Sequence, residues 1–298
     1  MSRGPSYLVK GDTILIIATA RARNEIAIAP AIKILQSWGL IVITGKNLYK
    51  QYHQFAGTDE QRAEDLQWAI DHEEAKAVLI AGGGYGTLRI IDHVSFKDFS
   101  KQPKWFIGYS DTTVLQARLS SLKQPSIHGT MAFQFAKNKE ATESIKRLLF
   151  GKKVTHTAPL SKLNRRGKAE GEVVGGNLSL IYALSGSKDD LNTKNKLLFI
   201  EDLDEQLYHI DRMMLQLKRS GKLKGLKGLI VGGMTEMKDN AVPFGKTAEE
   251  IIFEAVEEYN YPVCFNFPAG HIENNMALYF GKKAELRVNK NQVKLIYL

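Results

Sequence analysis

Ser110 stands where an apolar segment, KWFIGY (104–109), gives way to a segment with helical character, DTTVLQARLSSL (111–122). A serine in such a strand-to-helix turn can be a nucleophile, because the next backbone N–H lies at the positive end of the helix dipole. The nucleophile-elbow pattern G-x-S-x-G is met only in part, since Gly108 fits but Thr112 replaces the second glycine. Serine is also a common N-cap, and taken alone Ser110 is better explained as a cap. The nucleophile hypothesis therefore depends on other groups.

A glycine-rich turn, AGGGYGTLR (81–89), could supply one of these groups. The dinucleotide-binding spacing G-x-G-x-x-G fails there: counted from Gly82 its last position falls on Thr87, and counted from Gly84 it falls on Arg89. The turn also follows the third predicted strand, whereas that fingerprint belongs after the first. The spacing and the position of this turn therefore both argue against the binding of a dinucleotide cofactor. The turn is either half of an oxyanion hole or a structural glycine turn.

A serine nucleophile needs a base, which is usually histidine. Of the seven histidines, His271 lies in FPAGHIENN, on a Pro/Gly loop directly after a predicted strand, where a side chain can face a cleft. His128 in SIHGTM also follows a strand and is the rival. We predict that His72 and His209 lie on the surface of charged helices.

The base in turn needs an acid that fixes its tautomer. Glu201 ends the apolar run KLLFI and should emerge at a carboxyl edge of a sheet. The competing interpretation is that acids at the start of the next helix simply favour its dipole. No histidine has a spacing that would complete a metal site with these carboxylates. The single cysteine, Cys264, lies in apolar YPVCFNF and is predicted to be a buried thiol rather than a nucleophile.

The first half of the chain alternates apolar strand-like runs with amphipathic segments. Predicted strands lie near 13–18, 40–44, 77–81, 104–109 and 126–129, with helices near 25–38, 60–74, 111–122 and 139–150. Strands that are apolar throughout and separated by helices predict a parallel sheet covered on both faces, with ligands at the carboxyl ends of the strands. We therefore predict an N-terminal α/β domain over residues 1–150.

A basic segment at 151–170 contains Gly and Pro and lacks helical periodicity, which predicts a linker. A second alternation follows over 171–298, ending in AELRV and VKLIYL, which predict a hairpin. Its other predicted strands lie near 171–176, 196–201, 228–233 and 262–267, with helices near 177–186, 206–220 and 246–258. This pattern predicts a second, mixed α/β domain.

The 298 residues carry 41 basic and 32 acidic side chains, a net charge of +9. The basic clusters at 162–168 and 218–228 lack interleaved aromatics, so a small anionic partner is expected rather than nucleic acid. No apolar run approaches the ~20 residues that span a bilayer. With only one cysteine, the expected location is the cytoplasm, without membrane attachment.

Several motifs in order resemble the LD-carboxypeptidase family of serine peptidases: GGYG, KWFIGYSDTTVL, HGTM, VVGGNLSL, LFIEDLDEQLYHIDRMMLQLKRSG and PAGH. That family includes the muramoyl-tetrapeptide carboxypeptidases of murein recycling and the microcin C self-immunity amidases. The resemblance covers nearly the whole chain. It implies a flavodoxin-like N-terminal domain with the nucleophile, a C-terminal domain with the acid and base, an active site between them, and a homodimer. The chain departs from the family at Gly82, where many members have arginine.

The resemblance also implies site residues. The implied triad is Ser110 as nucleophile, Glu201 as orienting acid and His271 as base. The implied oxyanion hole consists of backbone amides, those of Asp111 and of Gly84 or its neighbour Gly83. The expected reaction is hydrolysis of the L,D-peptide bond to terminal D-alanine in a small anionic muropeptide, through an acyl-enzyme, with no cofactor and no metal. The alternatives are an amidase that cleaves a peptidyl-nucleotide of the microcin type, and a non-catalytic α/β module that binds a nucleotide or sugar.

Overall fold

The computed structural model describes residues 4–298, which fall into two compact units. The first unit runs to Lys153 and also contains Met276–Tyr279, and the second consists of Val154–Asn275 and Phe280–Leu298. None of the helices in this range combines the length and apolar character that a bilayer crossing requires. Residues 4–298 also contain no group of three or more His, Cys, Asp and Glu side chains arranged to hold a metal.

Within the described residues, the first unit is built on a six-stranded sheet. Its strands are β1 (Thr13–Ile17), β2 (Ile41–Thr44), β3 (Ala75–Ile80), β4 (Trp105–Gly108), β5 (Ser126–His128) and β11 (Leu278–Phe280). Their order across the sheet is β2-β1-β3-β4-β5-β11, and the first five pair in parallel. Every residue of β1, β4 and β5 is buried, as expected for a parallel sheet covered on both faces. The order 2-1-3-4-5 is that of flavodoxin-like folds, so the predicted fold is confirmed.

Helices follow these strands, and four of the five match the predicted amphipathic segments; the short helix Thr87–Ile90 was not predicted. They are α1 (Glu25–Ser37), α2 (Asp59–Asp71), α3 (Thr87–Ile90), α4 (Thr113–Ser121) and α5 (Lys139–Leu149). Local sequence sets where they begin: the Asn24 side chain accepts the Ala27 N–H at 3.0 Å, and Thr58 forms a capping box with Gln61. At these two helices, local side chains therefore specify where the helix begins.

The second unit contains, in the part of the chain that the structure describes, a seven-stranded mixed sheet. Its strands are β6 (Thr155–Ala158), β7 (Gly167–Asn177), β8 (Lys196–Leu203), β9 (Gly228–Thr235), β10 (Val263–Cys264), β12 (Lys283–Val288) and β13 (Val293–Tyr297). The order is β10-β9-β8-β7-β12-β13-β6, parallel from β7 to β10 and antiparallel from β7 through β12 and β13 to β6. The helices are α6 (Leu178–Ala183), α7 (Leu207–Arg219) and α8 (Ala248–Ala255). The mixed second domain and its closing hairpin are thus present.

Besides α3, the structure differs from the predicted elements at three further places. The basic segment 151–170 contributes β6 and the start of β7. Within it, THTA (155–158) alternates exposed and buried positions, which is the pattern of a strand with one face turned to the core. The strand predicted over 262–267 pairs only at Val263–Cys264, since Asn266 adopts a positive φ of 57° that ends the extended chain. Near the C-terminus, Met276–Tyr279 belongs to the first unit, which a division into consecutive segments does not anticipate.

Candidate active site

Ser110 lies in a sharp turn at the carboxyl end of β4. Its φ is +60°, a left-handed conformation that is uncommon for a residue with a side chain and that clusters at functional sites. A short 3₁₀ turn, Ser110–Thr112, precedes α4. In the described chain the N-cap positions of this turn and of α4 are Tyr109 and Thr112, and neither element has a side-chain capping bond. Ser110 is therefore not the helix cap that its position suggested.

The partial elbow motif has a steric explanation. A Cβ atom placed on Gly108 would lie 2.6 Å from Oγ1 of Thr112, which is closer than real Cβ contacts. The turn can close over Thr112 only because position 108 has no side chain. Gly108 thus makes room for Thr112, the threonine that stands where the motif has its second glycine.

The glycine turn after β3 lies directly against Ser110. A Cβ atom placed on Gly83 would be 3.1 Å from Cβ and 3.2 Å from Oγ of Ser110. Gly84 and Gly86 have φ values of +111° and +151°, which glycine adopts without steric cost. Strands β3 and β4 are paired neighbours, so their carboxyl ends meet at one edge of the sheet. The first unit therefore brings the serine and the backbone amides of the glycine turn together.

The Asp111 side chain ties these two turns to each other. Its Oδ2 atom accepts the Thr87 N–H at 2.8 Å, and the residue is only 2% exposed. Burial raises the pKa of Asp111, while the hydrogen bonds from Thr87 and Gly86 oppose that shift. From the sequence, only the backbone amide of Asp111 was expected to have a role. The signal for a role of its side chain was an acidic residue directly after the serine, at the start of a helix.

The second unit pairs Glu201 with His271. The Glu201 side chain is wholly buried, and its Oε2 atom lies 2.6 Å from Nδ1 of His271 and accepts the His271 backbone N–H at 3.0 Å. With Nδ1–H donated to the carboxylate, Nε2 carries the lone pair that can accept a proton. Burial opposes protonation of the ring, but the hydrogen bond and charge of Glu201, with the charge of Asp202, raise the pKa of His271 above its ordinary value of 6.5.

Local structure around the PAGH loop fixes this pair. Gly270 has φ +103°, and a Cβ atom there would lie 2.7 Å from Cβ and 2.8 Å from Oε2 of Glu201. Its N–H donates to Oδ1 of Asn275 at 2.8 Å, and the Thr235 hydroxyl donates to the His271 carbonyl at 2.7 Å. Glycine is thus required before His271, because the loop passes too close to Glu201 for a side chain.

A buried polar network beside Glu201 was not predicted. Asp202 accepts hydrogen bonds from Asn177 Nδ2 at 2.7 Å and from the N–H and hydroxyl of Ser179 at 2.9 and 2.6 Å. Burial raises the pKa of Asp202 to about 6. The polar residues of VVGGNLSL, which directly follow a buried strand, were the signal for this network. It anchors Asp202, the residue directly after Glu201, to the end of β7 and the start of α6.

The structure distinguishes His271 from other histidines considered as the base. His128 lies in β5 with no exposed surface and packs edge-on against Tyr109, so a substrate does not reach it. His209, in the first turn of α7, forms a pair of its own with Glu205, which lies just before that helix, at 2.6 Å. His156 is buried in β6.

Comparisons with known proteins agree along nearly the whole chain. Residues 14–129 match the model of the LD-carboxypeptidase N-terminal domain, and residues 170–286 match that of the LD-carboxypeptidase C-terminal domain. A Bacillus subtilis protein named "Probable murein peptide carboxypeptidase" is 37% identical over 293 residues, covering 95% of this chain and 91% of the relative. The crystal structure of muramoyltetrapeptide carboxypeptidase from Oxalobacter formigenes has a TM-score of 0.87 at 27% identity, covering 96% of this chain and 98% of that one. The structure of MccF in complex with glutamyl sulfamoyl guanosine also has a TM-score of 0.87, at 20% identity and 98% coverage of each chain, and this likeness concerns the fold.

Proposed function

The chain belongs to the LD-carboxypeptidase family, and from this premise we propose that it is a serine carboxypeptidase that releases terminal D-alanine from a muropeptide. The observation that carries the proposal is the Ser110 turn, where a serine with φ +60° lies against the backbone of a glycine turn. A hydroxyl held in a strained turn beside backbone amides is the arrangement that acyl transfer from a peptide requires.

In the proposed mechanism Ser110, Glu201 and His271 act as one unit. The Ser110 Oγ atom attacks the carbonyl carbon of the residue before D-alanine, while Nε2 of His271 takes the hydroxyl proton. The hydrogen bond from Nδ1 of His271 to Oε2 of Glu201, at 2.6 Å, supports this role because it fixes the tautomer and stabilises the imidazolium. The proposal requires that Ser110 and His271 come within hydrogen-bonding reach in the catalytic state.

The remaining steps follow from the same groups. We assign the oxyanion to the backbone amides of Asp111 and of Gly84 or Gly83, since Gly83 lies against Ser110 and Asp111 follows it in the turn. His271 then donates its proton to the nitrogen of D-alanine, and the C–N bond breaks to leave an ester on Ser110. Water attacks this ester as His271 takes the water's proton, which releases the shortened peptide and restores the serine.

The substrate class rests on similarity and charge. The Bacillus subtilis relative is named for murein peptides, and the Oxalobacter formigenes structure for muramoyltetrapeptide. A net charge of +9 favours a substrate that carries several carboxylates. We propose the cytoplasm as the place of reaction, which fits a single cysteine, Cys264, whose burial raises its pKa to about 12 and keeps it an inert thiol. The family resemblance also suggests a homodimer, which light scattering on the purified chain would test.

The experiment that tests the activity is D-alanine release from a murein tetrapeptide, followed by mass spectrometry. We expect release by the wild-type chain and by Ser120→Ala, a variant at a serine in the last turn of α4. Ser110→Ala is expected to lose nearly all turnover. Full turnover by Ser110→Ala would refute the mechanism.

The same assay tests the competing functions. A peptidyl-nucleotide amide, supplied beside the tetrapeptide, should be the poorer substrate by kcat/KM. A strong preference for the nucleotide substrate would replace the muropeptide assignment but leave the serine chemistry in place. Tight nucleotide binding by equilibrium dialysis, with no cleavage and no reaction with a serine-directed phosphonate, would instead indicate a non-catalytic binding module.

A further inference from the structure

Arg23 follows β1 in the segment ATARARN (18–24), and its guanidinium lies beside the glycine turn. A Cβ atom placed on Gly82 would be 2.6 Å from Nε and 3.4 Å from Cζ of Arg23. The guanidinium carbon lies 4.1 Å from the centre of the Phe133 ring, and the Phe133 N–H donates to the Ala81 carbonyl at 3.1 Å. The guanidinium is therefore held between an aromatic face and the edge of the glycine turn.

The Arg23 side chain lacks a hydrogen-bond partner at a buried atom. Its Nε is buried and has no partner among residues 4–298. Burial and the nearby charge of Arg21 lower the pKa of Arg23, while Tyr109 opposes that shift, and a guanidinium stays charged in proteins. A half-buried donor without an acceptor is unfavourable unless a ligand supplies one. The two arginines thus form a cationic site beside the glycine turn that suits an anionic ligand.

This site borders directly on the serine. Gly82 adjoins Arg23, and the next residue, Gly83, adjoins Ser110: a Cβ atom placed on Gly83 would lie 3.1–3.2 Å from the Ser110 side chain. The following residue, Gly84, adjoins Arg21, whose Cβ would be 3.0 Å from a Cβ placed on Gly84. Gly82, Gly83 and Gly84 are consecutive, and consecutive Cα atoms are about 3.8 Å apart. The side chains of Arg23, Ser110 and Arg21 therefore lie against one three-residue segment of backbone.

We propose that Arg23, assisted by Arg21, binds the C-terminal carboxylate of the substrate, and this inference rests on the proposed carboxypeptidase function. In a substrate that ends in D-alanine, only the D-alanine Cα atom lies between the nitrogen of the bond that is cut and the terminal carboxylate. A guanidinium beside the serine is suited to that carboxylate because its planar fork binds both oxygens. The D-alanine side chain is only a methyl group, so the carboxylate is the feature that marks a chain end. Arg23 would thereby restrict cleavage to the last residue.

The test compares two tetrapeptides, one ending in D-alanine and one ending in D-alanine amide, which lacks the terminal charge. The wild-type chain should cleave the free acid with much the higher kcat/KM. Arg23→Ala should lower kcat/KM for the acid about 10- to 100-fold, the range for losing a hydrogen bond to a charged group, and should bring the ratio of acid to amide close to one. Arg23→Lys should lie between them, since lysine keeps the charge without the fork.

Two further variants keep the test decisive. Gly82→Ala places a methyl group where the Arg23 guanidinium lies, so it should reduce the acid preference without removing a charge, and it decides the matter if Arg23→Ala fails to fold. Arg147→Ala, at an exposed position in the last turn of α5, should keep the wild-type ratio.

The possible outcomes separate the inference from the proposed function. A wild-type chain that cleaves both peptides equally, or an Arg23→Ala variant that keeps the wild-type ratio, would overturn the role of Arg23 and leave the carboxypeptidase activity standing. A wild-type chain that cleaves neither peptide would overturn the proposed function, and the inference with it.

Discussion

Oε2 of Glu201 accepts two hydrogen bonds from the same residue, one from the backbone N–H of His271 at 3.0 Å and one from its ring Nδ1 at 2.6 Å. The first bond fixes where the loop passes the carboxylate, and the second fixes how the ring is turned. A base that is oriented in this way does not have to find its geometry during the reaction. The pair therefore has consequences that can be measured separately from the serine.

The pH dependence of kcat/KM should report the raised pKa of His271. A general base acts in its neutral form, so activity should fall as pH decreases through that pKa, with a midpoint above 6.5. Glu201→Gln removes the main charge that raises the pKa of His271 and leaves burial opposed by the charge of Asp202 alone, so its midpoint should move to lower pH. The rate should also fall by about 10³-fold or more, because an amide can hold the wrong tautomer.

The control for this experiment is Glu258→Gln. Glu258 is an exposed acid of the second unit that pairs with Lys218 at 3.4 Å. This variant should keep both the wild-type midpoint and the wild-type rate. Identical pH profiles for wild type and Glu201→Gln would show that the Glu201–His271 pair is not the titrating unit.

Alanine substitutions at two glycines should separate backbone strain from crowding of the pair. Gly221 has φ +78° and open space around a Cβ atom, so Gly221→Ala should cost only the left-handed backbone, about 1–2 kcal/mol. Gly270 has φ +103°, and an added Cβ would also collide with Glu201 at 2.7–2.8 Å. Gly270→Ala should therefore lose more stability in urea unfolding and lose activity, whereas Gly221→Ala keeps its activity. Equal losses of stability, with full activity in both, would argue against a tight fit at Gly270.

The Asp111 carboxylate should matter for activity as well as for stability. Asp111→Ala leaves the buried Thr87 N–H without its acceptor, at a cost of about 1–3 kcal/mol in the free energy of unfolding. The glycine turn is then less firmly held against Ser110, so we expect kcat to fall by about 10- to 100-fold. Asp111→Asn retains an acceptor oxygen and should recover part of both losses. Asp98→Ala, at an exposed ion pair with Lys101, should change neither, and wild-type kcat in Asp111→Ala would limit this side chain to a folding role.

The strands of the first unit were predictable because their physical cause is local. A strand buried on both faces must be apolar along nearly its whole length, and this pattern is visible in the sequence of runs such as Thr13–Ile17. The predicted helix 206–220 was recognisable in the same way, since α7 buries Ile210, Met214 and Leu217 on one face.

Other features depend on contacts between residues far apart in sequence, and these were not predictable. Ser110, in its left-handed conformation, packs against Gly83, and the Asp111 carboxylate accepts a hydrogen bond from Thr87, 24 positions earlier in the sequence. The short strand Leu278–Phe280 could not be assigned to the first sheet, because no local pattern tells which unit a returning segment joins. Arg23 was visible in ATARARNE, but its contact with Gly82 was not.

The proposed mechanism requires the Ser110 hydroxyl and the His271 imidazole to act as one catalytic unit. A double-mutant cycle on D-alanine release tests this requirement most directly. Ser110→Ala and His271→Ala should each abolish most of kcat, and the double variant should be no slower than either single one, because each change alone disables the whole unit. His209→Ala, which breaks the comparable Glu205 pair, should leave the rate unchanged. If the two losses multiplied instead, or if either single variant kept wild-type turnover, Ser110 and His271 would not form a catalytic unit.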